Sequence, residues 1–132
     1  PVKEYLDGVL KDAREKGYVE TLFGRRRPTP DVLSSNFIVR SSAERAAQNM
    51  PIQGTEADLM KRAMILVDEE LKKMDSARMV MQVHDSLIVE CDEGDAEEVG
   101  KILKEVMEER VAPELAVRLA VEVTIGHNWG EL

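Results

Sequence analysis

The sequence predicts an α+β fold, a small antiparallel sheet with a long broken helix and flanking helices. Two β-prone stretches each double back around a tight turn, at Gly24 and at His84-Asp85. Between them, helical apolar spacing runs on either side of Pro51 and Gly54. The resulting order (helix, hairpin, long broken helix, hairpin, helix, strand) describes an α+β domain with a small antiparallel sheet.

In order along the chain, residues 2–16 carry Val2, Tyr5, Leu6, Val9, Leu10 and Ala13 at helical spacing, and Gly17 ends the run. Residues 18–23 alternate as a strand, Gly24 can turn it, and residues 25–29 return. Pro28 and Pro30 keep that return short or at an edge. Residues 31–40 read as a mostly irregular link. Ser41, with Glu44 at capping-box spacing, is the expected start of the next helix. Pro51 and Gly54 should interrupt that helix near its middle. Its second leg, residues 55–74, has an apolar stripe of Leu59, Met60, Ala63, Met64, Val67, Leu71 and Met74. Residues 77–83 and 86–91 form the second hairpin. Met79, Met81 and Val83 should share one face, with Val80 and Gln82 on the other, and both faces should be covered. Residues 95–110 are amphipathic, with Val99, Ile102, Leu103, Val106 and Met107 inward, and residues 118–125 should close as a strand.

The 132 residues suit one domain, residues 1–132. The net charge of −8 argues against a nucleic-acid partner only if its distribution is ignored. Residues 1–50 hold nine Lys/Arg and seven Asp/Glu, whereas residues 51–132 hold nine and nineteen. The basic surplus therefore lies wholly in the first part. Cys91 is the only cysteine, which excludes an intramolecular disulfide and a cysteine-based metal site. The seven Met residues read as core filler. No apolar run approaches the ~18 residues of a membrane span, and no signal-peptide pattern occurs, so a cytoplasmic protein without membrane contact is expected. The chain starts at Pro1 in what looks like the middle of a longer helical region, which suggests a portion of a larger protein.

Chemistry concentrates in the second hairpin. In Gln82-Val83-His84-Asp85-Ser86-Leu87-Ile88-Val89-Glu90, β-prone residues flank a polar pair with room only for a tight turn. This presents the Asp85 carboxylate at a rigid tip, as a divalent-metal site requires. An Asp bonding nearby backbone in a turn fits the same residues. Arg25, Arg26 and Arg27 could bind phosphate or keep a strand edge soluble, and Asn49 could end a helix before Pro51.

The segment containing Ser34-Ser35-Asn36, Arg40, Glu44-Arg45-Ala46-Ala47-Gln48-Asn49, Pro51-Ile52-Gln53-Gly54-Thr55-Glu56-Ala57-Asp58 and Lys61-Arg62-Ala63-Met64 resembles the palm of family A DNA polymerases, the DNA polymerase I-like enzymes. Gly17-Tyr18-Val19-Glu20-Thr21-Leu22-Phe23-Gly24-Arg25-Arg26 is similar to the family's preceding hairpin. His84-Asp85 is similar to its third catalytic motif, and Gly126-His127-Asn128-Trp129 to its C-terminal end. The resemblance covers nearly the whole chain, in order.

The resemblance implies a partial polymerase palm and a DNA-directed DNA polymerase serving replication and repair. Its partners would be primer-template DNA and a deoxynucleoside triphosphate, with further polymerase domains upstream. It implies two Mg²⁺ ions with Asp85 as one shared catalytic ligand. The family's second Asp, in an Asp-Tyr-Ser motif, and its triphosphate-binding helix have no counterpart here, so these residues alone are expected to be inactive. Arg45 and Gln53 would donate to minor-groove acceptors, which nearly every base pair offers. Asn49 would lie near the templating base and His84 at the primer terminus. Arg25, Arg26 and Arg40 would meet phosphates, while Arg27 has no clear counterpart. Ser86 replaces the family's usual Glu, and single-subunit RNA polymerases share His-Asp-Ser, but the segment with Arg45, Asn49 and Gln53 resembles a DNA polymerase far more. Asp58 and Lys61 suit structural contacts, and Trp129 suits a packing anchor. Two other readings remain: a non-catalytic nucleic-acid-binding module derived from a palm, and one half of a split polymerase.

Overall fold

The computed structural model describes residues 1–132, which form two compact units, Pro1–Asp58 and Leu59–Leu132. The elements follow the α+β order expected. They are α1 (Val2–Lys16), β1 (Tyr18–Glu20), β2 (Arg26–Pro28), a 3-10 turn (Pro30–Leu33), α2 (Phe37–Leu71), β3 (Arg78–Val83), β4 (Ser86–Glu90), α3 (Ala96–Glu105) and a π-helical turn (Val106–Arg110). The strands make two separate antiparallel pairs, β1 with β2 and β3 with β4.

In the first unit α1 ends where the sequence places its stop. Gly17 takes the left-handed conformation at φ 81, and its N–H caps the Ala13 carbonyl. The buried Thr29 hydroxyl donates to that same carbonyl at 3.3 Å, tying β2 to the end of α1. Val9, Ala13, Val19, Val32, Ala47 and Met50 form the core. Val2 and Tyr5, which share the apolar spacing of α1, stay exposed.

Helix α2 differs from its expected form at both its start and its middle. It begins at Phe37, not Ser41, because the Asn36 side-chain oxygen accepts from the N–H groups of Ile38 and Val39 at 2.9 and 3.2 Å. It then runs unbroken through Pro51. One turn after that proline the Thr55 hydroxyl donates to the Pro51 carbonyl and accepts from the Leu22 N–H at 2.9 Å, which ties the first hairpin to this stretch of α2. Gly54 has a packing reason: a Cβ there would stand 2.7 Å from the γ-methyl of Thr21.

The second unit packs Val67 and Leu71 of α2 on Val99 of α3 and Val106 of the π turn, flanked by Met79, Leu87, Val89, Ile102, Leu103 and Met107. The inward face expected for residues 95–110 is therefore the one observed. The face assignment of β3 is corrected by a bulge. Met79 opposes Val89, but Met81 opposes Ile88, so Val80 is an extra residue and Met79 and Met81 fall on opposite faces. One face packs on the core, whereas Val80 and Met81 remain 49% and 36% exposed, so only one side of the hairpin is covered. Residues 118–125 form no strand. The Val121 N–H is taken by the Glu108 carboxylate at 3.2 Å, and neither strand of the β3–β4 pair supplies a partner. Trp129 is 61% exposed and does not anchor the C-terminal residues.

Two predictions follow from this packing. Gly54→Ala should destabilise the fold by about 1–3 kcal/mol in urea unfolding despite alanine's higher helix propensity, because the new methyl meets a β-branched side chain held on a buried carboxylate. The loss should shrink in a Thr21→Ser background, which removes the opposing methyl. The second concerns acid. Glu70 accepts from Arg110 at 2.9 Å and Lys73 at 3.2 Å, and these bonds, Arg110's first, hold its pKa below the usual 4.5. Its stabilisation is complete above that value and is lost as pH falls through the lowered folded pKa. The stability difference between wild type and Glu70→Gln should therefore persist at neutral pH and vanish in acid, measured by urea midpoints across pH.

Candidate nucleic-acid and metal site

The first unit carries Arg25, Arg26, Arg40, Arg45, Asn49 and Gln53; the second carries His84 and Asp85. The arginines near the first hairpin are engaged within the protein. The Arg25 Nε donates to the Asp58 carboxylate at 2.6 Å. Asp58, 6% exposed, also accepts from the Thr21 hydroxyl at 2.7 Å. The Arg26 guanidinium lies 4.4 Å from the centre of the Tyr18 ring, with Glu20 3.8 Å away. Such stacking leaves the guanidinium edge free to donate. Arg40 donates to the Ser34 carbonyl at 3.1 Å, stands 3.9 Å from Glu44 and lies over Phe37.

Arg45, Asn49 and Gln53 differ from these. Spaced four residues apart on α2, they share an exposed face opposite the buried Ala47 and Met50. None of the three has an ion-pair or hydrogen-bond partner in the protein. The result is a row of solvated donors on a rigid element, oriented by the burial of the other helix face.

The second hairpin forms as its sequence indicates. His84 and Asp85 are the two residues between β3 and β4, both exposed. His84 takes φ 52, the left-handed region that two-residue hairpin loops require, while Asp85 does not. The Gln82 amide donates to the His84 carbonyl at 2.6 Å and steadies the turn. The Asp85 carboxylate accepts no hydrogen bond from its neighbours, so it does not act as a turn-bonding Asp. No group of three or more His, Cys, Asp or Glu side chains is assembled to hold a metal ion. A hard dication needs several oxygen ligands, so Asp85 alone does not fit a complete Mg²⁺ site. The chain offers one ligand.

Sequence reasoning treated Asp58 as a structural residue without identifying its partners, and it did not single out Thr21 or Thr55. The available signal was the alternation of residues 18–23, which turns Thr21 inward with Val19.

The family model for DNA polymerase family A matches residues 1–131. The chain is 52% identical over 128 residues, 97% of its length, to the thermostable DNA polymerase I of Thermus aquaticus, and covers 15% of that protein. It is 48% identical over 128 residues to DNA polymerase I of Deinococcus radiodurans, again 97% of the chain and 13% of the relative. Among solved structures it is similar to the POL domain of Pol1 from M. smegmatis in complex with DNA primer-template and dNTP. The TM-score there is 0.76 at 46% identity, covering 80% of this chain and 19% of that one. The chain thus spans about one seventh of the length of its curated relatives.

The left-handed turn yields a prediction separable from function. His84→Gly should leave stability unchanged or raise it by up to about 1 kcal/mol, whereas His84→Val should lower it by about 1–2 kcal/mol, since a β-branched residue resists positive φ. Urea midpoints at constant slope would measure both.

Proposed function

The chain belongs to DNA polymerase family A, and from that premise we propose that it is a palm portion, residues 1–132, of a DNA-directed DNA polymerase that cradles the primer-template and supplies one metal-binding carboxylate. The observation that best supports this reading is the row of Arg45, Asn49 and Gln53, polar donors without side-chain partners on an exposed face of α2. Donors facing a minor groove meet an acceptor in almost every base pair, so they test pair geometry without reading sequence. That property suits an enzyme that must accept all four bases. Arg25, Arg26 and Arg40 supply phosphate contacts, and His84 lies at the primer terminus.

Asp85 is the carboxylate this chain would contribute to a Mg²⁺ site. The remaining ligands and the groups that grip a triphosphate lie outside these residues, so no catalytic step is assigned to the chain alone. Ser86, beside it, leaves one negative charge fewer at the tip than a Glu would.

The test has two arms. The 132-residue chain, given labelled nucleotide, primer-template and Mg²⁺ or Mn²⁺, should form no template-dependent product. It should still bind primer-template on the nonspecific scale of about 10⁻⁴–10⁻⁶ M, falling steeply with salt. Exchanged for the matching segment of the Thermus aquaticus enzyme, it should sustain primer extension. Asp85→Ala in that chimera should abolish extension while leaving primer-template binding nearly intact, because the carboxylate repels phosphate. Gln53→Ala and Arg45→Ala should slow extension without abolishing it. Template-dependent synthesis by the chain alone, lost on Asp85→Ala, would overturn the reading.

A further inference from the structure

We infer that Asp58 is a positioning residue for nucleic acid: it grips the Arg25 guanidinium by its inner nitrogen and so aims the outer end of that side chain at a backbone phosphate. The inference rests on the reading of Arg25 as a phosphate contact and adds the group that makes it effective.

The geometry carries it. Arg25 is fixed twice. Its main chain is held by Thr21, whose N–H donates to the Arg25 carbonyl at 2.9 Å and whose hydroxyl accepts from the Arg25 N–H at 3.2 Å. Its side chain is held through Nε, 2.6 Å from an Asp58 oxygen. Asp58 is itself immobilised, its side chain 8% exposed and bonded to the Thr21 hydroxyl at 2.7 Å. Yet the Arg25 side chain remains 55% exposed. A clamp with only a structural task would be served by a cation that ends at the carboxylate. Arg25 is bound by its innermost nitrogen and continues past it, leaving the Nη1/Nη2 fork for a second, bidentate acceptor such as a phosphate. Holding the fork in advance removes the rotamer entropy that a free arginine loses on binding.

Simple electrostatics predicts the opposite sign for the same residue. Asp58 is an anion in a chain of net charge −8, and its removal should strengthen attraction to DNA. The sign of the effect therefore separates positioning from charge.

The experiment is a set of anisotropy titrations of a labelled primer-template with the 132-residue chain at several salt concentrations. The proteins are wild type, Arg25→Gln, Asp58→Asn and the double variant. Arg25→Gln should weaken binding and reduce the salt slope by about 1, the signature of one lost phosphate contact. Asp58→Asn, although it removes a negative charge, should weaken binding about three- to tenfold. In the Arg25→Gln background it should cause no further loss. Stronger binding by Asp58→Asn, or an equal loss with and without Arg25, overturns the positioning role while leaving the phosphate reading standing. Arg25→Gln without effect removes the phosphate reading itself, and the proposal with it. If Asp58→Asn does not fold by circular dichroism, the Arg25 Nε–H signal of the unaltered ¹⁵N-labelled chain decides. It should stay protected from solvent exchange while the Nη signals shift on adding primer-template. Loss of that protection, or unmoved Nη signals, overturns the proposal.

Discussion

The buried carboxylate of Asp58 fixes the arrangement of the first unit. It joins the first hairpin to α2 through Thr21 and Arg25 at once. Thr21 is the pivot: the hydroxyl that donates to Asp58 also accepts from the N–H groups of Phe23 and Arg25. The turn containing Gly24 at φ 87 is therefore set by the same group that docks the hairpin. Burying an anion is unfavourable unless its lone pairs are taken by good donors. That requirement demands a hydroxyl at position 21 and a cation at position 25. The close approach it enforces is also what leaves no room for a Cβ at Gly54.

The consequence for the candidate site is a division between two kinds of cation. Arg25, Arg26 and Arg40 are pre-ordered by protein partners: a carboxylate, an aromatic face, a carbonyl. Arg45, with Asn49 and Gln53, is ordered only by the helix that carries it. Both arrangements lower the entropy cost of meeting a ligand, the first through side-chain restraint and the second through a rigid backbone. The first kind suits phosphates, whose positions follow the duplex backbone. The second suits minor-groove base edges, which present an acceptor in almost every pair and can be met by donors spaced along a rigid helix.

What was legible in the sequence was local. Gly17 stops α1, the two residues His84 and Asp85 close a hairpin, and the apolar stripe of residues 95–110 faces a core, because each depends on neighbours within a few positions. What was not legible depended on distant partners. Ser41 has capping-box spacing, but Asn36 captures two N–H groups first and starts the helix a turn earlier. Pro51 should break a helix, yet α2 continues through it from Phe37 to Leu71, with burial of Ala47 and Met50 before it and of Asp58 after it. The alternation of β3 fails at Val80, because a bulge depends on the register of the opposing strand and not on the strand itself. Residues 118–125 have strand composition without a strand partner. Of the candidate site, the residue types were readable from motif and resemblance. The partners that hold Arg25 in place were not, since Asp58 lies 33 residues away in sequence.

The second hairpin combines these constraints in one element. Its bulge and single covered face leave Val80 and Met81 exposed on the other side. Its two-residue turn forces His84 to positive φ, which stiffens the tip and fixes the direction from which Asp85 departs. A carboxylate in that position has no donor of its own, so nothing within the chain competes with an incoming cation for its oxygens. The same isolation limits it. One carboxylate cannot neutralise two dications, whose mutual repulsion must be offset by further anionic ligands. A rigid, unpartnered Asp on a hairpin is therefore suited to complete a site assembled with other groups, and unsuited to form one by itself.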